Sequence, residues 1–203
     1  MFRKIREKVD AKFSLGDKLW DVIETIMYCL VALVVAYLIV TFVGQRTVVD
    51  GESMYNTLND GDNIIVDKLS YTFGEPERFD IIVFPHFDAI RGEEVYYIKR
   101  IIGMPGETLQ IKDGLIYLID ENGEETMLDE SYGYYMNGLQ MQSGVAASPV
   151  TIPEGHYFVL GDNRNNSRDS RDASVGFVNG EDIMGKAWLR FYPFSEFGFI
   201  THE

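Results

Sequence analysis

The sequence predicts a mostly β protein, in which an antiparallel, barrel-like sheet domain is preceded by one N-terminal transmembrane helix. Helical periodicity is hard to find after Val43, where short runs rich in β-branched and aromatic residues alternate with turn signals. Before that point, residues 26–43 form an apolar run without a charged residue. Many short strands without helices between them favour a barrel or a folded sheet over βαβ units.

The apolar run is long enough to cross a bilayer. At ~1.5 Å rise per residue, its 18 residues span about 27 Å, close to the hydrocarbon thickness of a membrane. A cleaved signal peptide would have a shorter apolar region and a small-residue cleavage site, which residues 42–46 lack. A buried core helix is the other alternative, although such a helix usually shows a polar face. We interpret residues 21–44 as a single uncleaved transmembrane anchor.

Charge on the two sides of this run predicts the orientation. Residues 1–20 hold six Lys or Arg against three Asp or Glu, whereas only Arg46 follows closely after the run. Basic residues stay on the cytoplasmic side, so we expect a cytoplasmic N-terminus and residues 45–203 outside the cell membrane. Apolar residues at helical spacing among these basic ones indicate an amphipathic tail on the membrane surface, although a frayed tail fits equally.

The outer part contains eight predicted strands. A clear hairpin signal is Asp113-Gly114, which follows Lys112 and separates two apolar runs. Residues 120–150 are polar and weakly patterned, so we expect an insertion or a small subdomain there. The predicted strands cover residues 47–49, 63–66, 80–84, 95–98, 108–111, 115–119, 156–160 and 187–192.

Composition limits the chemistry. The net charge of −14 disfavours nucleic acid as a partner, because phosphate binding needs a basic surface. The one cysteine, Cys29, rules out an internal disulfide, and the chain lacks a CxxC pair. The three histidines are far apart and none lies in an HExxH pattern, so we expect neither a metal nor a cofactor.

Three segments carry polar groups that a β core does not need. Ser53 lies between two predicted strands, where a turn serine is the ordinary interpretation. Lys99 lies in an apolar strand; if it faces inward, burial lowers its pKa and it can accept a proton from a serine hydroxyl. Strand alternation permits a solvent-facing Lys99 equally well. Residues 161–171 hold three Arg and two Asp, typical of a solvated loop or of a salt-bridged brace.

The order of these motifs resembles bacterial type I signal peptidase, the leader peptidase family, in its Gram-positive version with one anchor. The resemblance runs from the anchor to about Gly185. The matching residues are Gly51-Glu52-Ser53-Met54 with Thr57-Leu58, Gly61-Asp62 with Val66 and Lys68, residues 99–106, and residues 161–171.

The resemblance implies a serine endopeptidase that removes signal peptides from exported preproteins after small residues, with no cofactor. It implies Ser53 as nucleophile, with its backbone N–H binding the oxyanion, and Lys99 as general base. Ser167 is expected to orient the lysine amine, and Arg100 to pair with the first aspartate of the loop. The remaining implied residues are Asp162, Asp169 and Arg171 in the brace, and Val49, Leu58 and Ile98 in the substrate pocket.

Two departures and two alternatives accompany the resemblance. The family usually has proline where this chain has Asn56, for which we expect a similar φ near −65° in a slightly looser loop. Gly51 stands where some relatives have a hydroxyl residue. A non-catalytic, membrane-anchored assembly factor for surface polymers, and a self-cleaving repressor-like Ser–Lys protease, are the alternative functions.

Overall fold

The computed structural model describes residues 17–38, 44–89 and 91–202. Residues 1–16 of the predicted amphipathic tail and residues 39–43 of the predicted anchor lie outside the described residues. The chain divides into two compact units, Met1–Val43 and Gly44–Glu203.

The described part of the first unit is one helix, α1 (Asp17–Leu38). Within it, Leu19–Tyr37 has a mean hydropathy of 2.0 and is long and apolar enough to cross a membrane. Only 6% of the apolar stretch is buried, and Leu33 and Tyr37 are about two-thirds exposed. A helix of a soluble core would bury one face, so this exposure fits membrane anchoring better than the core-helix alternative.

The regular secondary structure in the described part of the second unit is mostly β-strand, with one short α-helix, α2 (Ser70–Phe73), and several 3₁₀ turns. Its strands are β1 (Gly44–Val48), β2 (Asn63–Asp67), β3 (Ile81–Asp88), β4 (Glu93–Gly103), β5 (Thr108–Lys112), β6 (Leu115–Ile119), β7 (Glu125–Met127), β8 (Val150–Thr151), β9 (His156–Leu160), β10 (Val178–Asn179), β11 (Gly185–Tyr192) and β12 (Gly198–Phe199).

These strands form two antiparallel sheets. The larger runs in the order β1-β2-β11-β3-β4-β9-β10, with β12 paired to β11, and the smaller runs β7-β6-β5-β8. Neither path closes on itself within the described residues, so the sheets are open rather than a closed barrel. The predicted mostly β, antiparallel class is confirmed, and each of the eight predicted runs overlaps an observed strand.

The predicted hairpin joins β5 to β6. Lys112 pairs with Leu115, and the two residues between them have positive φ, 51° at Asp113 and 78° at Gly114. Two positive φ values match the twist of the flanking strands, and aspartate and glycine tolerate them at low cost.

Residues 120–150 take part in the core. They supply β7 to the smaller sheet and bury Tyr132, Met141 and Ala146 in a cluster that also contains Phe158. The four strands that the sequence did not predict, β7, β8, β10 and β12, have two or three residues each. Such strands form because a neighbouring strand offers its edge, so they carry little apolar pattern of their own.

Two features of the larger sheet matter for the site. The half of β4 from Lys99 to Gly103 is buried, whereas its first residues, Glu93 and Glu94, are exposed. β4 pairs with β3 from Glu93 to Arg100 but with β9 only from Arg100 onward. The first half of β4 therefore has an edge that is unpaired among the described residues.

Candidate active site

Ser53 lies at the start of a tight turn between β1 and β2. The Glu52 carbonyl accepts the Tyr55 N–H at 3.0 Å, and the Met54 carbonyl accepts the Leu58 N–H at 2.8 Å. Met54 and Leu58 are buried in the core cluster that also holds Val49. Buried apolar side chains therefore anchor the turn both before Ser53, at Val49, and after it, at Met54 and Leu58.

Lys99 reaches the Ser53 hydroxyl from β4. Its Nζ lies 2.8 Å from Ser53 Oγ and donates to the Ile98 carbonyl at 2.8 Å, and the side chain is only 3% exposed. Among the described residues, no carboxylate is within ion-pair distance of Lys99. Burial lowers the pKa of Lys99 to about 8, and the more distant charges of Asp169 and Asp162 offset part of that effect.

Arg100, the next residue of β4, forms a buried ion pair. Its Nε and Nη2 donate to the two carboxylate oxygens of Asp162 at 2.8 and 2.7 Å, in the bidentate geometry that favours strong pairing. Its Nη1 donates to the carbonyls of Phe79 and His202. Asp162 also accepts the Thr57 hydroxyl at 2.5 Å, so it joins the Ser53 turn to the strand that carries Lys99.

The rest of the polar loop is held by a second ion pair. Arg171 Nε and Nη2 donate to Asp169 at 2.8 and 2.7 Å, and Asp169 also accepts the Gly161 N–H at 3.0 Å. Arg171 Nη1 donates to the Arg164 carbonyl at 2.7 Å, across the loop. Both side chains are buried or nearly so, which favours the rigid brace over the solvated loop.

Ser167 does not make the bond that the resemblance implies. Its Oγ is buried and has no hydrogen-bond partner among the described residues. It packs against Gly161, where an added Cβ would lie 2.2 Å from Ser167 Oγ and 2.4 Å from the Ser53 carbonyl oxygen. Glycine at position 161 thus lets the loop approach both serines.

A groove lies beside the two candidate catalytic groups. It has a volume of about 260 Å³ and lies between residues 47–54 and residues 95–99. Of the three expected pocket residues, Val49 and Ile98 line it, whereas Leu58 is fully buried in the core and is not among the lining residues. Met54 and Val83 line it as well, although the sequence assigned neither of them to a pocket.

Asn56 departs from its expected conformation. Its φ is 85°, in the left-handed region, instead of near −65°. A proline ring cannot adopt this value, so proline could not occupy this position without a different backbone conformation. Asparagine tolerates positive φ better than most residues, because its short polar side chain adapts to it.

Sequence reasoning also missed several polar partners. Thr57, Asn163 and the pair Arg164–Glu130 were given no role, yet Arg164 is bidentate to Glu130 with both side chains nearly inaccessible. Arg164 stood out as part of the charged loop, but nothing in the sequence marks Glu130, 34 positions away, as its partner. The described residues contain no group of three or more His, Cys, Asp or Glu side chains arranged to hold a metal ion.

Comparisons with known proteins show the family. A family model described as "Signal peptidase, peptidase S26" matches residues 22–192. The chain belongs to this signal peptidase family. A probable signal peptidase I-2 from Synechocystis sp. is 36% identical, and the match covers 98% of this chain and 85% of that protein.

A relative from Bacillus subtilis supports this membership. Signal peptidase I S from Bacillus subtilis is 37% identical, over 87% of this chain and 92% of that protein. A solved signal peptidase I structure from Enterococcus faecalis is 39% identical, covers 55% of this chain and 96% of that one, and has a TM-score of 0.40. The family resemblance seen in the motifs is confirmed, and the chain is a serine endopeptidase of the signal peptidase family.

Proposed function

We propose that this signal peptidase family member is anchored in the cell membrane by one helix and cleaves preproteins with a Ser53–Lys99 dyad, after small residues. The observation that carries the proposal is the 2.8 Å separation of Lys99 Nζ and Ser53 Oγ, combined with a lysine that is 3% exposed. A serine hydroxyl needs a base, and a lysine serves as one only when its amine is neutral. Burial without a nearby carboxylate favours that state.

In acylation, neutral Lys99 takes the Ser53 proton as Oγ attacks the scissile carbonyl carbon. The carbonyl oxygen becomes an oxyanion, which we assign to the backbone N–H of Ser53. The Ser53 N–H forms no hydrogen bond within the described part of the chain, so it is free for this purpose. Protonated Lys99 then gives its proton to the leaving amine, and the acyl group stays on Ser53.

In deacylation, Lys99 is neutral again and removes a proton from a water molecule. The resulting hydroxide attacks the acyl carbonyl carbon, and the proton returns through Lys99 to Ser53 Oγ as the signal peptide leaves. The brace of Arg100, Asp162, Asp169 and Arg171 supports both steps by fixing β4 and the Ser53 turn together. Ser167 lies at the same loop but makes no hydrogen bond to Lys99, so an orienting role for it would require a rotation of its hydroxyl side chain.

The groove supports the proposed specificity. An extended peptide can pair as an added strand between residues 47–52 and the unpaired edge of the first half of β4. Val49, Met54 and Ile98 form an apolar part of the groove lining near Ser53, and charged or polar side chains line much of the rest. We expect this apolar part to accept alanine-sized side chains and to exclude larger ones by overlap. Leu58 supports the walls from the core.

The anchor fits this substrate class. Signal peptides are presented at a membrane, and a tethered enzyme meets them at a raised effective concentration. With basic residues before the apolar helix, we propose a cytoplasmic N-terminus and an extracytoplasmic catalytic unit.

The proposal is tested with the full chain, purified in detergent, and a preprotein substrate. We expect Ser53→Ala and Lys99→Ala each to abolish cleavage, while the matched surface controls Ser148→Ala and Lys112→Ala cleave like the parent. Unchanged processing in either dyad variant would reject the dyad. A parent chain that binds preprotein without cleaving it would favour the non-catalytic assembly factor instead.

A further inference from the structure

The peptide unit between Glu52 and Ser53 is fixed from outside its own turn. The Glu52 carbonyl accepts Asn163 Nδ2–H at 3.0 Å as well as the Tyr55 N–H at 3.0 Å. The C=O and N–H of a trans peptide lie in one plane and point in opposite directions. A side chain that fixes the direction of the Glu52 carbonyl therefore also fixes the direction of the Ser53 N–H.

The same residue holds the next peptide unit too. The Asn163 backbone N–H donates to the Ser53 carbonyl at 3.1 Å, so Asn163 contacts the carbonyls on both sides of the Ser53 Cα. Gly161 makes this approach possible, since any Cβ there would meet the Ser53 carbonyl oxygen. The polar loop thus holds the backbone on both sides of the candidate nucleophile through hydrogen bonds from Asn163.

The surroundings of Asn163 determine which atom of its side-chain amide, Nδ2 or Oδ1, faces the Glu52 carbonyl. The residue is 2% exposed, and its Oδ1 is buried without a hydrogen-bond partner among the described residues. Rotating the amide by 180° would place Oδ1 against the Glu52 carbonyl oxygen, which is repulsive, so the Nδ2–H must face Glu52. A buried acceptor without a partner lowers stability, which argues that the amide is kept for what its Nδ2–H does.

We infer that Asn163 is a positioning residue that aims the Ser53 N–H at the oxyanion formed during cleavage. The inference rests on the proposed function, because it requires Ser53 to be the nucleophile. Asn163 acts through the Glu52–Ser53 peptide and stabilises only the species that carries the developing negative charge. Its removal should therefore weaken transition-state binding and leave binding of the intact substrate unchanged.

The test compares Asn163→Asp and Asn163→Ala with Asn165→Ala in the detergent-solubilised full chain. Asn163→Asp keeps the shape but replaces the donor with an acceptor that repels the Glu52 carbonyl. Both variants at position 163 keep the backbone N–H to Ser53. Asn165 is the matched control. Its side-chain amide accepts the Met136 N–H and donates to the Gln140 carbonyl, and it makes no hydrogen bond to the Ser53 turn. Thermal unfolding is followed so that each variant is assayed below its transition.

Four quantities are measured: kcat, KM, the affinity for a peptide boronic acid that forms a tetrahedral adduct on serine, and the affinity for a non-cleavable peptide with a reduced scissile bond. We expect both position-163 variants to lose about 10- to 100-fold in kcat, less than the loss from deleting an oxyanion donor outright. Boronic acid affinity should fall by a similar factor, while KM and reduced-peptide affinity stay within about twofold of the parent.

Three results would overturn the inference: parent-like kcat in the folded variants, a loss confined to KM, or equal weakening of the two inhibitors. Asn163→Ala contains no repelling oxygen and covers the case in which Asn163→Asp fails to fold. Ser53→Ala is measured in parallel. Cleavage by Ser53→Ala would reject the proposed function itself, whereas inactive Ser53→Ala with parent-like position-163 variants would reject only the role of Asn163.

Discussion

Lys99 and Arg100 are neighbours in β4 and almost equally buried, yet their surroundings differ. Arg100 is held by a bidentate carboxylate from Asp162 and by two backbone carbonyls. Lys99 has a hydroxyl and one carbonyl, with no carboxylate in ion-pair range among the described residues. Burial beside a carboxylate places Arg100 in a bidentate ion pair, whereas burial without one lowers the pKa of Lys99 to about 8. The difference favours a structural role for Arg100 and supports the proton transfer proposed for Lys99.

The largest effect should come from removing the amine. We expect Lys99→Met to lower kcat/KM by about 10⁴-fold or more, because Lys99 is the only side chain of the described residues that is hydrogen-bonded to Ser53 Oγ. At pH 7 the free energy of unfolding of the same variant should be roughly 3 kcal/mol higher than that of the parent, because the variant lacks the unpaired buried charge of Lys99. Preprotein cleavage and urea unfolding measure the two effects. A variant that is both inactive and less stable than the parent would contradict the contrast with Arg100.

Removing the counter-charge of Arg100 should have the opposite effect on stability. Asp162→Ala leaves a buried guanidinium without its carboxylate, and we expect the free energy of unfolding to fall by about 3–5 kcal/mol. Urea unfolding at pH 7 measures the change. Parent-like unfolding would show that Arg100 finds water or another acceptor, and that the brace contributes little.

The pH dependence separates the two residues further. Since the folded pKa of Lys99 is lowered to about 8, kcat/KM should rise about tenfold per pH unit below 8 and level off above it. Between pH 8 and 10.5 the unfolded lysine binds a proton that the folded one does not, so stability rises with pH there. The stability advantage of Lys99→Met should therefore shrink across that interval. A flat acid limb, under conditions where chemistry limits the rate, would argue against Lys99 as the base.

The smallest effect is expected at an exposed ion pair. Lys112 on β5 and Glu125 on β7 pair across the intervening strand β6, with both side chains more than a third exposed. Water and salt screen such a pair, so Glu125→Gln should change the free energy of unfolding by less than ~1 kcal/mol. It serves as the surface counterpart of Asp162→Ala in the same urea experiment. A cost comparable to that of Asp162→Ala would mean that burial does not distinguish the two pairs.

Much of the fold was predictable because it depends on local patterns. Short runs rich in β-branched and aromatic residues located the eight longer strands, and Asp113-Gly114 indicated the β5–β6 hairpin through its backbone preferences. The short strands β7, β8, β10 and β12 were not predicted, because a two- or three-residue strand depends on the edge it joins. The polar composition of residues 120–150 predicts an insertion or a small subdomain, and it does not reveal that Tyr132 and Met141 are buried.

The sequence by itself determined the strand pattern, the apolar helix, the family and the identities of the serine and lysine that the motifs single out. Alternation along a strand says which residues share a face, but not whether another layer covers that face. Only the tertiary structure decided that Lys99 is buried, that Arg100 meets Asp162 across 62 positions, and that Asn163 holds the peptide of Ser53. Those contacts join segments far apart in the chain, and their geometry depends on how the sheets and the polar loop pack together. The φ of 85° at Asn56 also depends on the tertiary structure, because Met54 and Leu58 on either side of it are buried in the core.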